Sequence, residues 1–125
     1  MAHILVVDDD EPFRHMLRRT LERVGHAITE AVDGGAALRI LGAAADTPVD
    51  LVITDLIMPG MEGIETIRAL RSGYPRVQVI AMSGGGRMRP EGYLEVARAF
   101  GAARILIKPF DNAELFTAIN AALGL

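Results

Sequence analysis

Along this chain, short runs rich in Val, Ile and Leu alternate with longer stretches in which apolar residues recur every three or four positions. The short β-branched runs suit strands buried on both faces, and the three-four spacing suits helices with one buried side. The pattern predicts strands near 3–8, 26–31, 50–55, 77–82 and 104–107, and helices near 11–24, 34–45, 62–72, 90–101 and 111–123. Strand and helix alternate throughout, which is the order of βα units in an α/β fold with a doubly wound five-stranded parallel sheet and five helices on two faces.

The first helix shows the reasoning. Phe13, Met16, Leu17, Thr20, Leu21 and Val24 repeat at threes and fours and are expected inward, while Arg14, Arg18, Arg19 and Arg23 fall elsewhere. Asp10 or Glu11 can cap its start, Pro12 is tolerated in the first turn, and Gly25 stops it. The last helix repeats this grammar, with Asp111 as cap, Glu114 three residues on, and Leu115, Ile119, Ala122 and Leu123 as its buried stripe. Gly34, Gly60, Gly63, Gly73 and Gly101 punctuate the remaining turns. Gly84-Gly85-Gly86 is the only low-complexity stretch, and no internal repeat or long linker interrupts the pattern.

Composition narrows the picture. With 125 residues, half of them apolar, the chain suits one domain over 1–125 with a single filled core. A net charge of −3 argues against a sequence-independent grip on nucleic acid, which needs a basic excess or stripe, so a protein or a small anion is the expected partner. The absence of cysteine rules out a disulfide framework and thiolate metal sites and suits a reducing compartment. No signal-type segment precedes the first strand, and no apolar run approaches ~18 residues, so a cytoplasmic location without membrane association is expected.

Five polar residues carry the candidate chemistry. Asp8 and Asp9 follow the first apolar run, Asp55 the third, Ser83 the fourth and Lys108 the fifth. In a parallel sheet these carboxyl ends line one edge and converge on one crevice. Three carboxylates there need a counter-charge, because two unit charges ~4 Å apart repel by ~4 kcal/mol at an effective dielectric of ~20. Lys108 offsets one, and the hard, oxygen-seeking Mg²⁺ suits the rest, held by carboxylates, waters and a phosphate oxygen. A carboxylate so placed can attack phosphorus while Mg²⁺ and Lys108 draw charge from the phosphoryl oxygens and Ser83 donates a hydrogen bond; the product is an acyl phosphate. Asp55 is the better nucleophile, since it stands alone at the end of a central strand while Asp8 and Asp9 are paired for metal work. Singly, each residue reads as a helix start, a turn former or a loop residue. Only their joint placement on separate strand ends points to a site.

With these residues in place, the chain resembles the receiver domain of two-component response regulators. The resemblance runs from His3 to Ala122 through Ile4-Leu5-Val6-Val7-Asp8-Asp9, Asp55-Leu56-Ile57-Met58-Pro59-Gly60-Met61-Glu62-Gly63, Ala81-Met82-Ser83-Gly84 and Ile107-Lys108-Pro109-Phe110. It implies the flavodoxin-like receiver fold, with strand order 2-1-3-4-5, and a phosphoacceptor signalling domain that switches a protein-interaction surface rather than a turnover enzyme. By position it implies Asp55 as phosphoacceptor; Asp9, Asp55 and the main-chain carbonyl of Ile57 as direct Mg²⁺ (or Mn²⁺) ligands; and Asp8 acting through metal-bound water. It further implies Ser83 closing on the phosphoryl group, Lys108 pairing with it, and a cis Lys108-Pro109 peptide. The implied phosphodonor is a sensor histidine kinase or a histidine phosphotransfer protein, with an unknown protein downstream. No output module follows Leu125, so a stand-alone receiver is the expectation.

The chain departs from the family pattern at Ile105, where members commonly carry an aromatic ring that turns inward on switching. The glycine run after Ser83 offers another route for the signal, since consecutive glycines permit large backbone excursions. Phe13, with Arg14 and Arg18, forms a candidate kinase-docking patch, and Arg89, Tyr93, Glu95, Arg98 and Phe116 lie on the face that family members use for output. A haloacid-dehalogenase-like phosphatase also uses a strand-terminal aspartate, but it needs a second acid two residues on, where this chain has Ile57. A flavin or nucleotide module needs glycines in the first turn, where Asp8 to Glu11 stand. A receiver-like interaction module that works without phosphorylation is the remaining alternative.

Overall fold

The computed structural model describes residues 2–43, 48–56, 62–84 and 101–125. Five parallel strands form one sheet: β1 (His3–Val7), β2 (Ala27–Ala31), β3 (Leu51–Asp55), β4 (Gln78–Gly84) and β5 (Arg104–Lys108), in the order β2-β1-β3-β4-β5. Four helices lie among the described residues: α1 (Glu11–Arg23), α2 (Gly34–Ala43), α3 (Glu62–Gly73) and α4 (Asn112–Leu123). The helix expected over 90–101 falls almost wholly outside the described residues, as does the end of the one expected over 34–45.

Strand alternation divides the core in two. Ile4, Val6, Ile28, Leu51, Ile53, Ile80, Met82 and Leu106 face α1 and α4, where they meet Leu17, Leu21, Leu115, Ala118 and Ile119. Leu5, Val7, Ala31, Val52, Val79 and Ala81 face α2 and α3 and pack on Ala37, Leu41, Ile67 and Leu70. The central strands are covered on both sides, which is why residues 4–7, 51–53 and 79–82 show no polar alternation, while the edge strands β2 and β5 carry Thr29, Glu30 and Arg104.

The helix ends follow local chemistry. Asp10 caps α1 by accepting from the Phe13 N–H at 3.1 Å, and Asp111 caps α4 by accepting from the Glu114 N–H at 2.7 Å. Gly25, with φ of 94°, turns the chain out of α1. Gly34 differs from the expected turn glycine. It is buried at the start of α2, where an added Cβ would collide with Thr66 of α3, so its role is close helix approach.

The stripe expected on α1 needs correcting. Leu17 and Leu21 are fully buried with Arg14 beside them, whereas Met16 and Val24 are 40% and 52% exposed. Residues 14, 17 and 21 share the inward face, and the arginine there is tolerated because it finds partners described below. β4 also runs further than expected, since its ladder with β5 continues through Ser83 and Gly84, opposite Ile107 and Lys108.

Candidate functional site

The acidic crevice is the continuation of one apolar stripe. Two-residue alternation carries Ile4 and Val6 on to Asp8, Leu51 and Ile53 on to Asp55, and Leu106 on to Lys108, all on the α1/α4 side. Val7 pairs with Thr54, so Asp8 and Asp55 come level on adjacent strands. At the carboxyl edge the hydrophobic positions give way to charged ones.

Lys108 Nζ donates to Asp8 Oδ2 at 2.8 Å and to Asp55 Oδ2 at 3.3 Å. Asp8, Asp9 and Asp55 each place one carboxylate oxygen within 4.8 Å of the others. Asp8 is fully buried, Asp55 nearly so, and Asp9 is exposed. Burial alone would lower the Lys108 pKa, but the hydrogen bond it donates to Asp8 and the charges of Asp55 and Asp8 outweigh it and hold the ammonium above the ordinary lysine range. One ammonium against three carboxylates leaves a net negative pocket of all-oxygen donors.

Asp8 has no freedom left. Its N–H donates to the Ala31 carbonyl at 3.2 Å, its Oδ1 accepts from the Asp10 N–H at 2.9 Å, and its carbonyl accepts from Arg14 Nη1 at 2.8 Å. Arg14 in turn donates through Nε to Glu30 Oε1 at 2.8 Å, and Arg18 Nη1 reaches Glu30 Oε2 at 3.1 Å. Arg14 is thus a buried strut, not the rim of a docking patch. Its signal was its spacing to Leu17 and Leu21, together with Glu30, which shares the inward stripe of Ile28 on β2.

Phe13 also belongs to the site. Lys108 Nζ lies 4.2 Å from the centre of its ring, and Phe13 meets Phe110 edge-on at 6.0 Å and 82°. The half-buried ring therefore packs beneath the lysine in place of forming an open apolar patch. Ser83 is fully buried on β4, and its hydroxyl has no hydrogen-bond partner among the described residues. The Lys108-Pro109 peptide is cis. Ile105 is half-buried against the α2/α3 core, and Phe116 packs against the α1/α4 core. Ile57, Gly85, Gly86, Arg89, Tyr93, Glu95 and Arg98 lie outside the described residues.

Comparison with known proteins decides the family. The response regulator receiver domain model matches residues 4–120. The chain belongs to the response regulator receiver family. The receiver is 37% identical over 122 residues to the transcriptional regulatory protein FixJ of Azorhizobium caulinodans, covering 95% of this chain and 54% of FixJ. It is 35% identical over 123 residues to the transcriptional regulatory protein CpxR of Escherichia coli K12, covering 98% of this chain and 50% of CpxR. The chain therefore spans about half the length of these relatives. Among solved structures, a response regulator receiver protein from Burkholderia phymatum superposes with a TM-score of 0.87 at 35% identity, covering 100% of this chain and 97% of that one. The chemotaxis protein CheY4 of Vibrio cholerae gives a TM-score of 0.82 at 32% identity, with 98% and 99% covered. As a receiver, this chain is a phosphoacceptor signalling domain. Receiver domains in general bind Mg²⁺ and work with histidine kinases and phosphotransfer proteins. No helix among the described residues is long and apolar enough to cross a membrane.

Proposed function

We propose that Asp55 is the phosphoacceptor, that Asp8, Asp9 and Asp55 hold a divalent cation, and that Ser83 and Lys108 bind the transferred phosphoryl group. The observation that carries this reading is the convergence of Lys108 on Asp8 and Asp55 at 2.8 and 3.3 Å beside a third carboxylate. Such a set of hard oxygen donors fits Mg²⁺ or Mn²⁺. Three carboxylates gathered within 4.8 Å of one another are close enough to share a single such ion. Asp9 and Asp55, with the Ile57 carbonyl, would be the direct ligands and Asp8 the outer one. When bound, the cation supplies positive charge against the phosphoryl oxygens.

An oxygen of the Asp55 carboxylate attacks phosphorus as the phosphohistidine nitrogen leaves; a P–O bond forms, the P–N bond breaks, and the electron pair stays on the imidazole. Lys108 is already charged and turns from Asp55 toward the incoming phosphoryl oxygens. Ser83, buried without an acceptor among the described residues, donates its hydroxyl to the same group. The phosphoryl group adds ~1.5–2 negative charges at neutral pH, which biases the surrounding loops and shifts a protein-interaction surface. The donor is a sensor histidine kinase or a histidine phosphotransfer protein, the reader is a downstream protein, and the setting is cytoplasmic. The chain turns over no external substrate, only its own phosphoaspartate.

Incubation with Mg²⁺ and acetyl phosphate should give a base-labile phosphoryl mass increment that is absent in Asp55→Ala. An unmodified wild-type chain, tested with acetyl phosphate, phosphoramidate and a histidine kinase, would refute the assignment and leave an interaction module. Ser83→Ala should still accept phosphate but lose most of the amide chemical-shift response. Identical responses in both phosphoproteins would remove Ser83 from the switch.

A further inference from the structure

We propose that Arg14, held by Glu30, is a positioning residue for the divalent cation, acting through the Asp8 carbonyl to aim the Asp9 carboxylate. The inference rests on the metal-site reading above. Arg14 is 7% exposed and makes two directed bonds from one guanidinium plane, to Glu30 of β2 and to the Asp8 carbonyl, both at 2.8 Å. A buried guanidinium is stable only with such partners, and Glu30 is itself steadied by Arg18 at 3.1 Å and approached by His15 at 3.3 Å. Burial raises the Glu30 pKa, but the hydrogen bonds from Arg18 and Arg14 prevail and keep this anchor ionised.

The carbonyl that Arg14 grips belongs to the peptide that contains the Asp9 nitrogen. That unit is planar, so holding its oxygen also orients the Asp9 N–H and Cα. The other side of the same peptide is pinned by the Asp8 N–H to Ala31 and the Asp8 carboxylate to Asp10 and Lys108. Asp9 is exposed and its side chain is short, so its carboxylate is aimed chiefly by the backbone. A lysine keeps the charge at position 14 but lacks the planar fork that satisfies both acceptors.

Electrostatics and positioning predict opposite signs. Removing a positive charge beside three carboxylates should, by Coulomb's law alone, tighten cation binding. Loss of a strut should weaken it, because groups that orient metal ligands typically control about 10–100-fold in affinity. The test is Mn²⁺ affinity by calorimetry and water-proton relaxation for wild type, Arg14→Met, Arg14→Lys, Glu30→Gln and Arg18→Met, with the metal-free amide signals of Asp9 and Asp10 followed by NMR. Arg14→Met should weaken Mn²⁺ about tenfold and Arg14→Lys somewhat less, while Arg18→Met, which also loses Glu30 but never touches Asp8, stays within about twofold. Asp9 and Asp10 signals should shift in the Arg14 and Glu30 variants and remain in place in Arg18→Met. Equal or tighter binding in folded Arg14→Met and Arg14→Lys would overturn the proposal, as would an equal loss in Arg18→Met. Should Arg14→Met fail to fold, Arg14→Lys and Glu30→Gln decide the question on the same criteria. A wild-type chain that binds no Mn²⁺ at millimolar concentration would overturn the metal-site reading first, and this inference with it.

Discussion

Replacing Asp55 with asparagine should make the metal-free protein more stable. Neutralising the side chain forfeits its attraction to Lys108, whose Nζ is 3.3 Å away, worth about 5 kcal/mol at an effective dielectric of ~20. It also removes two repulsions, from Asp8 and Asp9, whose oxygens lie within 4.8 Å and so contribute at least about 3.5 kcal/mol each at the same dielectric. Repulsion wins by about 2 kcal/mol, and screening of the exposed Asp9 reduces the net gain to about 1–2 kcal/mol. Asparagine has nearly the same shape and keeps an oxygen to accept from Lys108. Urea unfolding in a chelator should show the gain directly, and thermal unfolding should show a rise of roughly 3–8 °C for a domain of this size. Added Mg²⁺ should then narrow or reverse the difference, because the wild type gains RT ln(1 + [Mg²⁺]/Kd) and the variant gains little. A variant less stable than wild type in chelator would show that the pocket is not strained by like charge. Equal stabilisation of both proteins by Mg²⁺ would show that Asp55 is not a ligand.

Three further perturbations follow from the packing. Phe13→Leu removes the ring under Lys108 and the edge contact with Phe110, each worth roughly 0.5–1.5 kcal/mol, and urea unfolding should show a loss of about 1–3 kcal/mol. Gly34→Ala drives a Cβ into the Thr66 hydroxyl and to within 3.1 Å of its Cβ, which should cost about 1–3 kcal/mol by overpacking. Adding Thr66→Ala should recover most of that loss, and an additive double variant would refute the clash. His26 accepts from the Ala2 N–H at 3.1 Å, and burial lowers its pKa below the ordinary histidine value. Since the folded state takes up this proton later than the unfolded chain, stability should be full above pH ~6.5 and fall as acid passes through the window between the two pKa values. His26→Gln should flatten the pH dependence of the urea midpoint in that window.

The strands were legible because a sheet covered on both faces leaves continuous apolar runs such as Ile4 to Val7, and the clustering of Asp8, Asp9, Asp55 and Lys108 was legible because these residues end those runs. The faces of α1 were harder to read. A periodicity rule scores Arg14 as exterior by residue type, although its spacing to Leu17 and Leu21 puts it inside, and the partner that makes this tolerable, Glu30, comes from another element. Phe13 was expected inward by its spacing and does pack against the core, but its reading as a docking patch fails for a related reason, since the cation above its ring comes from β5, far away in sequence. Ser83 was placed at a strand end where the ladder in fact continues, because the stop depends on how far β5 extends alongside. Each miss involves a cross-element partner that no local window contains.

The solitary hydroxyl of Ser83 bears on how strongly this molecule can respond. A donor sealed from water without an acceptor among the described residues raises the energy of the resting form by about 1–3 kcal/mol. On the proposed reading, a phosphoryl oxygen carried by Asp55 would relieve that penalty without first breaking a contact already made. At 1.4 kcal/mol per factor of ten, that one bond would contribute roughly five- to 150-fold to the two-state balance of the proposed switch.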